Sequence, residues 1–145
     1  MIRYIYLSLT AVVAAALATS PSAADTDPLA KYVGSDRPIV IFAPDRYDNR
    51  LREQIGRFSI HRREFRDRDV VVVEIGGPFM RDRGNAVPHG PIMREKFGIR
   101  DDEFAIFLVG KDGDVKHRLG EVTDAQVFYD LIDQMPMRRQ ELGLE

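Results

Sequence analysis

Apolar and polar positions fall along this chain in blocks that read alternately as strand and helix. "RPIVIFA", residues 37–43, is apolar at consecutive positions and rich in β-branched and aromatic side chains. That composition suits a central strand covered on both faces. Pro44 ends it. Asp48 is placed to cap a helix starting near Asn49, on which Leu51, Ile55, Phe58 and Phe65 share one face at helical spacing. Glu53 and Arg57 make an i, i+4 pair on the wet side. "DVVVVEI", 69–75, is a second buried strand, so strand, helix and strand predict a right-handed βαβ unit.

The stretch 76–90, "GGPFMRDRGNAVPHG", carries four glycines and two prolines and reads as a long loop. Pro91 and Gly98 bracket a short helix. "EFAIFLVG", 103–110, is a third strand. "KDGD" is a hairpin turn, and "VKHRL" is a return strand charged enough to protect a sheet edge. Thr123 and Gln126 are spaced as a capping box for a last helix with the stripe Val127, Phe128, Leu131, Ile132 and Met135. Pro136 ends it, leaving the tail "PMRRQELGLE".

The first residues belong to a different pattern. Arg3 precedes an uncharged, mostly apolar run from Tyr4 to about Ala18, and Ser22-Ala23-Ala24 supplies small residues for cleavage. Residues 1–24 therefore read as a signal peptide. The run falls short of the roughly 20 apolar residues of a membrane span. The expectation is a periplasmic or secreted protein with no stable membrane insertion after cleavage. Residues 25–36 read as a polar lead-in and 37–145 as one domain.

Charge and cysteine content narrow the chemistry. The chain has 21 Lys and Arg against 23 Asp and Glu, and the leader takes only Arg3 with it, leaving a net charge of −3. A general nucleic-acid binder is usually strongly basic, so nucleic acid is not the expected partner. No cysteine occurs anywhere. Thiol exchange, peroxide reduction by a thiolate and cysteine metal ligation are excluded.

The order β-α-β-α-β-β-α resembles the minimal thioredoxin-like fold. "FGIR" at 97–100 and "GKDGDV" at 110–115 are similar to stretches before the third strand and in the hairpin of that family. The resemblance implies an α/β domain, βαβαββα, with a four-stranded mixed sheet flanked by helices. It also implies that the third strand lies antiparallel beside the first. It places the family's Cys-Gly-Pro-Cys site at Arg46, Tyr47, Asp48 and Asn49, and its cis-proline near Glu103 and Phe104, where no proline stands. Four further segments, "RPIVIFAPDRYDNRLREQ", "RDVVVVEI", "FLVGKDGDVKHR" and "LIDQMPMRRQE", resemble a family of exported bacterial proteins built on a domain of unknown function, DUF4174. A related domain occurs in animal sushi-repeat extracellular matrix proteins, with a peroxiredoxin-like fold. This resemblance implies a compartment and a fold, and no activity.

The best-placed candidate surface is the first-strand loop, with Asp45, Arg46, Tyr47 and Asn49. Ligands of open α/β folds bind at the carboxyl ends of strands, and a helix start offers unpaired N–H groups. The competing reading is an ordinary capped loop with solvated arginines. Eight arginines occur between 46 and 68, but on a helical wheel they flank Glu53 and Glu64, as on a mixed solvated surface. His61, His89 and His117 lack metal-ligand spacing. No metal, no cofactor and no catalytic residue is expected. In the tail, Arg138 and Arg139 read either as an anion-contacting docking segment or as a strap in which they meet helix-end carbonyls.

The leading functional expectation is a non-catalytic binding or interaction domain for an unknown protein or a small anionic ligand in the cell envelope. The rival is a cysteine-independent enzyme or small-ligand protein. A pocket between the first-strand loop and residues 76–90 would favour the rival, and a flat surface the first reading. A structural envelope protein is a third possibility that the residues do not separate from the first.

Overall fold

A computed structural model describes residues 27–144, so the expected signal peptide lies outside the described residues. Strand β1, Arg37–Ala43, is buried at all seven positions. Its side chains alternate between two cores, as a pleated strand requires. Ile39, Ile41 and Ala43 enter one core; Val40 and Phe42 enter the other.

Helix α1, Asn49–Ser59, starts where expected, with the Asp48 carboxylate accepting the Arg50 N–H at 2.8 Å. The expected single helix divides. Ile60 and His61 turn the chain into α2, Arg62–Asp67. The turn brings Phe65 to 5.0 Å from Phe58 and 5.9 Å from Tyr129, ring centre to ring centre, which a straight continuation would not arrange. Strand β2, Val70–Gly76, then pairs parallel to β1.

The expected four-stranded sheet is corrected to six strands, in the order β4-β3-β2-β1-β5-β6. The two extra strands lie in the stretch read as a loop. Phe79–Asp82 forms β3 and Asn85–Val87 forms β4. Arg83 and Gly84 both have positive φ, 40° and 108°, the two-residue turn whose twist suits a hairpin.

Helix α3, Gly90–Phe97, has Pro91 in its first turn and left-handed Gly98 at its exit. Strand β5, Ala105–Val109, pairs antiparallel to β1, and β6, Val115–Leu119, forms the edge beyond it. Helix α4, Ala125–Asp133, does not use the expected capping box. Buried Gln54 instead exchanges bonds with the Thr123 backbone at 2.8 and 2.9 Å, while the Asp124 carboxylate is taken by Arg57 at 2.8 Å.

Two layers cover the sheet. Helices α1, α2 and α4 cover one face. The other is covered by α3 and by the segment read as a polar lead-in. That segment is docked: Leu29 and Tyr32 flank a short 3-10 turn and are buried with Met93 and Phe107. The tail is a helix too, α5, Pro136–Glu141, and ion pairs strap it down. Glu141 takes Arg37 at 3.0 Å and Lys111 at 2.7 Å. Arg138 donates to the Asp67 carbonyl at 2.7 Å and pairs with its carboxylate at 2.9 Å.

Two expectations follow. Phe107 is buried on a central strand, and its ring lies 4.8 Å from Phe97 and 5.7 Å from Phe42. Phe107→Ala will cost about 3–5 kcal/mol in denaturant unfolding. A loss below about 1 kcal/mol is the size expected of a surface position and would contradict the burial.

The second concerns Glu141. Burial alone would raise its pKa, but hydrogen bonds from Arg37 and Lys111 outweigh burial and hold it at about 2, against an ordinary 4.5. A depressed carboxylate stabilises the fold above its unfolded pKa, and the contribution fades as pH falls through the folded value. Glu141→Gln will therefore be less stable than the native chain at neutral pH, by about 1–2 kcal/mol, because Glu141 is itself exposed while the Arg37 it leaves without a carboxylate is buried. The difference, followed by urea unfolding, will shrink as pH falls from about 4.5 toward 2.

Candidate functional site

Strands β1 and β2 run in parallel register from Arg37 opposite Val70 to Ala43 opposite Gly76. Their carboxyl ends therefore emerge on the same side. The loop leaving β1 is held by its own side chains. The Asp45 carboxylate accepts the Tyr47 N–H at 2.6 Å, an Asx turn. Asp48 grips the Arg50 guanidinium at 2.7 and 3.1 Å, and that bonding holds its carboxyl below the usual range. Arg50 in turn stands 5.0 Å above the Phe104 ring. The thioredoxin resemblance places that family's cis-proline near Glu103 and Phe104, so this contact joins the two segments that the resemblance assigns to the redox site.

The loop crosses directly over Gly76. A Cβ on Gly76 would lie 2.8 Å from both the Cα and the N of Arg46, a contact side chains do not make. This missing side chain is what lets the loop close onto β2.

A recess of about 330 Å³ opens beside this crossing, lined by Arg46, Tyr47, Glu74, Phe79, Arg81 and Ala86 among others. Arg46 and Tyr47 are exposed and lean on each other, the guanidinium carbon 4.7 Å from the ring centre and Nη2 donating a hydrogen bond to the hydroxyl. Phe79 is 46% exposed, an apolar rim that no described residue covers. Glu74 and Arg81 are directly opposite in the β2–β3 register. The Glu74 carboxyl is pushed above its ordinary range by burial, with the Arg81 charge pulling the other way. Its carboxylate has no hydrogen bond or ion pair among the described residues.

The structure thus brings Arg46 and Tyr47 together with residues that sequence reading passed over. Asp45 and Asn49 lie exposed on the same loop, outside the recess lining. Arg138 and Arg139 are elsewhere, on α5. Arg138 is 6% exposed, with its guanidinium donating to α2 as the strap reading describes, and Arg139 is exposed on the same helix. Glu74, Phe79 and Arg81 were missed because their convergence depends on the β3–β4 hairpin. Two signals pointed to them. A lone carboxylate interrupts "VVVVEI", and "DRGN" is a two-residue turn flanked by residues able to pair. Among the described residues no group of three or more His, Asp or Glu is placed to hold a metal, and no helix is long and apolar enough to cross a membrane.

The sheet order, the parallel β1–β2 pair and the antiparallel β5 define a thioredoxin-like α/β fold, in a chain with no cysteine. Solved peroxiredoxins have the same fold. Plasmodium yoelii thioredoxin peroxidase I matches with a TM-score of 0.58 and 15% identity, over 79% of this chain and 80% of that one. The mitochondrial 2-Cys peroxiredoxin of Plasmodium falciparum matches with a TM-score of 0.56 and 17% identity, over 79% and 83%. The chain belongs to the DUF4174 family, a domain of unknown function, which it matches over residues 28–141. It is also similar to zebrafish (Danio rerio) coiled-coil domain-containing protein 80, with 27% identity over 136 residues. That match covers 81% of this chain and only 16% of the fish protein's length.

The close approach at Gly76 sets an expectation. Gly76→Ala forces backbone against backbone, so the loop must lift. The substitution will destabilise the protein by about 1–3 kcal/mol, as overpacking does. It will also broaden or shift the Arg46 and Tyr47 amide resonances in a heteronuclear NMR spectrum. Unchanged stability together with unchanged loop resonances would contradict the contact.

Proposed function

We propose that this chain is an exported, non-catalytic binding domain whose partner meets the surface carrying Asp45, Arg46, Tyr47 and Asn49. The observation that carries the reading is the exposed pair Arg46 and Tyr47, set beside the half-exposed Phe79 at the carboxyl ends of two parallel strands. Tyr and Arg are the side chains most favoured at interface centres, since each combines apolar area with hydrogen bonding. The recess holds a single carboxylate, Glu74, with no nucleophile and base within bonding reach of each other, which supports binding over catalysis. Export rests on the charge and hydropathy of residues 1–24. Kinship with the animal sushi-repeat matrix domain belongs to the same proposal.

A second reading is favoured by one specific feature. The recess is concave and has Arg46 and Arg81 on its lining, so a small anion is an alternative occupant.

The test is capture from periplasmic extract with the mature domain, beside an Arg46→Ala, Tyr47→Ala variant. Both residues are exposed, so unfolding stability will change by no more than about 0.5 kcal/mol. Partner affinity will fall about tenfold or more. A partner held at full affinity by the variant but lost by Arg138→Ala, Arg139→Ala would move the working surface to the tail. N-terminal sequencing of the periplasmic protein will begin at about Asp25. Recovery only of membrane-bound protein retaining Met1 would overturn simple export.

A further inference from the structure

The larger cleft is not at the β1–α1 loop. It lies over β2, encloses about 990 Å³, and joins the recess through Glu74 and Arg81, which line both. Its floor is strand β2, with half-buried Val70 and Val72 followed by Glu74. Helix α2 forms one wall with Phe65, Arg62 and Arg66, the two arginines one turn apart. Strand β3 and its turn form the other with Arg81 and Arg83.

The charges in this groove are unequal in kind. Of its acids, Asp36 and Asp69 already have partners, Arg83 at 2.9 Å and Lys111 at 2.7 Å, and Glu74 lies opposite Arg81 in the strand register. Arg62, Arg66 and Arg81 have no ion-pair partner among the described residues. Four guanidinium groups, those of Arg62, Arg66, Arg81 and Arg83, thus line the walls with three carboxylates, and Arg62 and Arg66 on the α2 wall stand over the apolar strip with no carboxylate partner. Strand β2 has seven residues. Of these, Val70, Val71, Val72 and Glu74 line the groove, and at about 3.3 Å per residue the stretch gives a floor of roughly 13 Å, the length of an extended segment of about four or five residues.

We propose that a partner protein lays an extended acidic segment along this groove, its carboxylates toward Arg62, Arg66 and Arg81 and its small apolar side chains on Val70 and Val72. An extended chain sends alternate side chains to opposite sides, which matches charged walls over an apolar floor. Glu74, without a donor of its own, accepts an N–H from the segment as it passes. The proposal rests on the binding-domain reading and adds the partner's chemistry to it.

The test uses a fluorescein-labelled octapeptide of alternating Glu and Val, the same peptide with Gln for every Glu, and phosphatidylglycerol vesicles. Fluorescence anisotropy with the mature protein will show saturable binding of the Glu peptide. The affinity will fall as salt rises, and the Gln peptide will not compete. Arg62→Glu with Arg66→Glu, checked for an intact fold by circular dichroism, will weaken binding about tenfold or more, since rim charges govern encounter and salt dependence.

Failure of the Glu peptide to bind, undiminished binding by the charge-reversed variant, or retention of vesicles instead of peptide would overturn the proposal. The Arg46→Ala, Tyr47→Ala variant keeps the two readings apart. If it loses the captured partner while the peptide never binds, the loop stands and the groove fails. If the peptide binds in the groove while that variant keeps every partner, the groove stands and the loop reading fails.

Discussion

Strand β1 is buried from Arg37 to Ala43, and a strand in that position needs a partner on each edge and cover on each face. The rest of the domain supplies these. β2 and β5 pair with its edges, the α1, α2 and α4 layer covers one face, and α3 with the Leu29–Tyr32 turn covers the other. The demand extends to charge. Arg37 opens the strand at 1% exposure, so its guanidinium must find acceptors inside the protein. The Arg68 carbonyl provides one at 2.9 Å and Glu141 provides the others. A helix more than a hundred residues downstream is thereby bound to the first strand, and Lys111 and Arg138 add the hairpin turn and α2 to the same network.

The site is a by-product of that arrangement. Because β1 and β2 are parallel, their carboxyl ends open together, and Gly76 lets the β1–α1 loop settle onto β2. Because the sheet extends through β3 and β4 past the helical layer, the outer face of β2 is only half covered. In a four-stranded sheet β2 would be an edge and the groove would have one wall. The hairpin supplies the second wall, and with it Phe79, Arg81 and Arg83.

The thioredoxin resemblance places the thiol positions of that family at Arg46, Tyr47, Asp48 and Asn49, none of them cysteine. These residues connect a buried strand to a helix start. Asp48 accepts one of the unpaired N–H groups there, and Arg50 lies over Phe104. What such a surface offers is shape, forked donors and an amphipathic ring.

The sequence by itself determined every element whose cause is local. Strands near 37–43, 69–75 and 103–110, the Asp48 cap, the Pro91 and Gly98 limits of α3 and the Gly113 hairpin all follow from apolar runs and from residues with restricted backbone behaviour, within a few positions of each other. Tertiary structure decided whatever depends on a distant partner. The Thr123–Gln126 spacing promised a capping box, but Gln54, some seventy residues earlier, claims the Thr123 backbone. The lead-in looked polar, yet two of its apolar residues, Leu29 and Tyr32, complete a core. Arg138 looked available to a ligand until α2 was folded against it. Glu74 and Arg81 face each other only through a strand register set by a hairpin whose glycines and prolines read as loop. Local preference acts over a turn or a few residues, whereas a site is made by pairings across the chain, and those are chosen by which arrangement buries β1 and satisfies its charge.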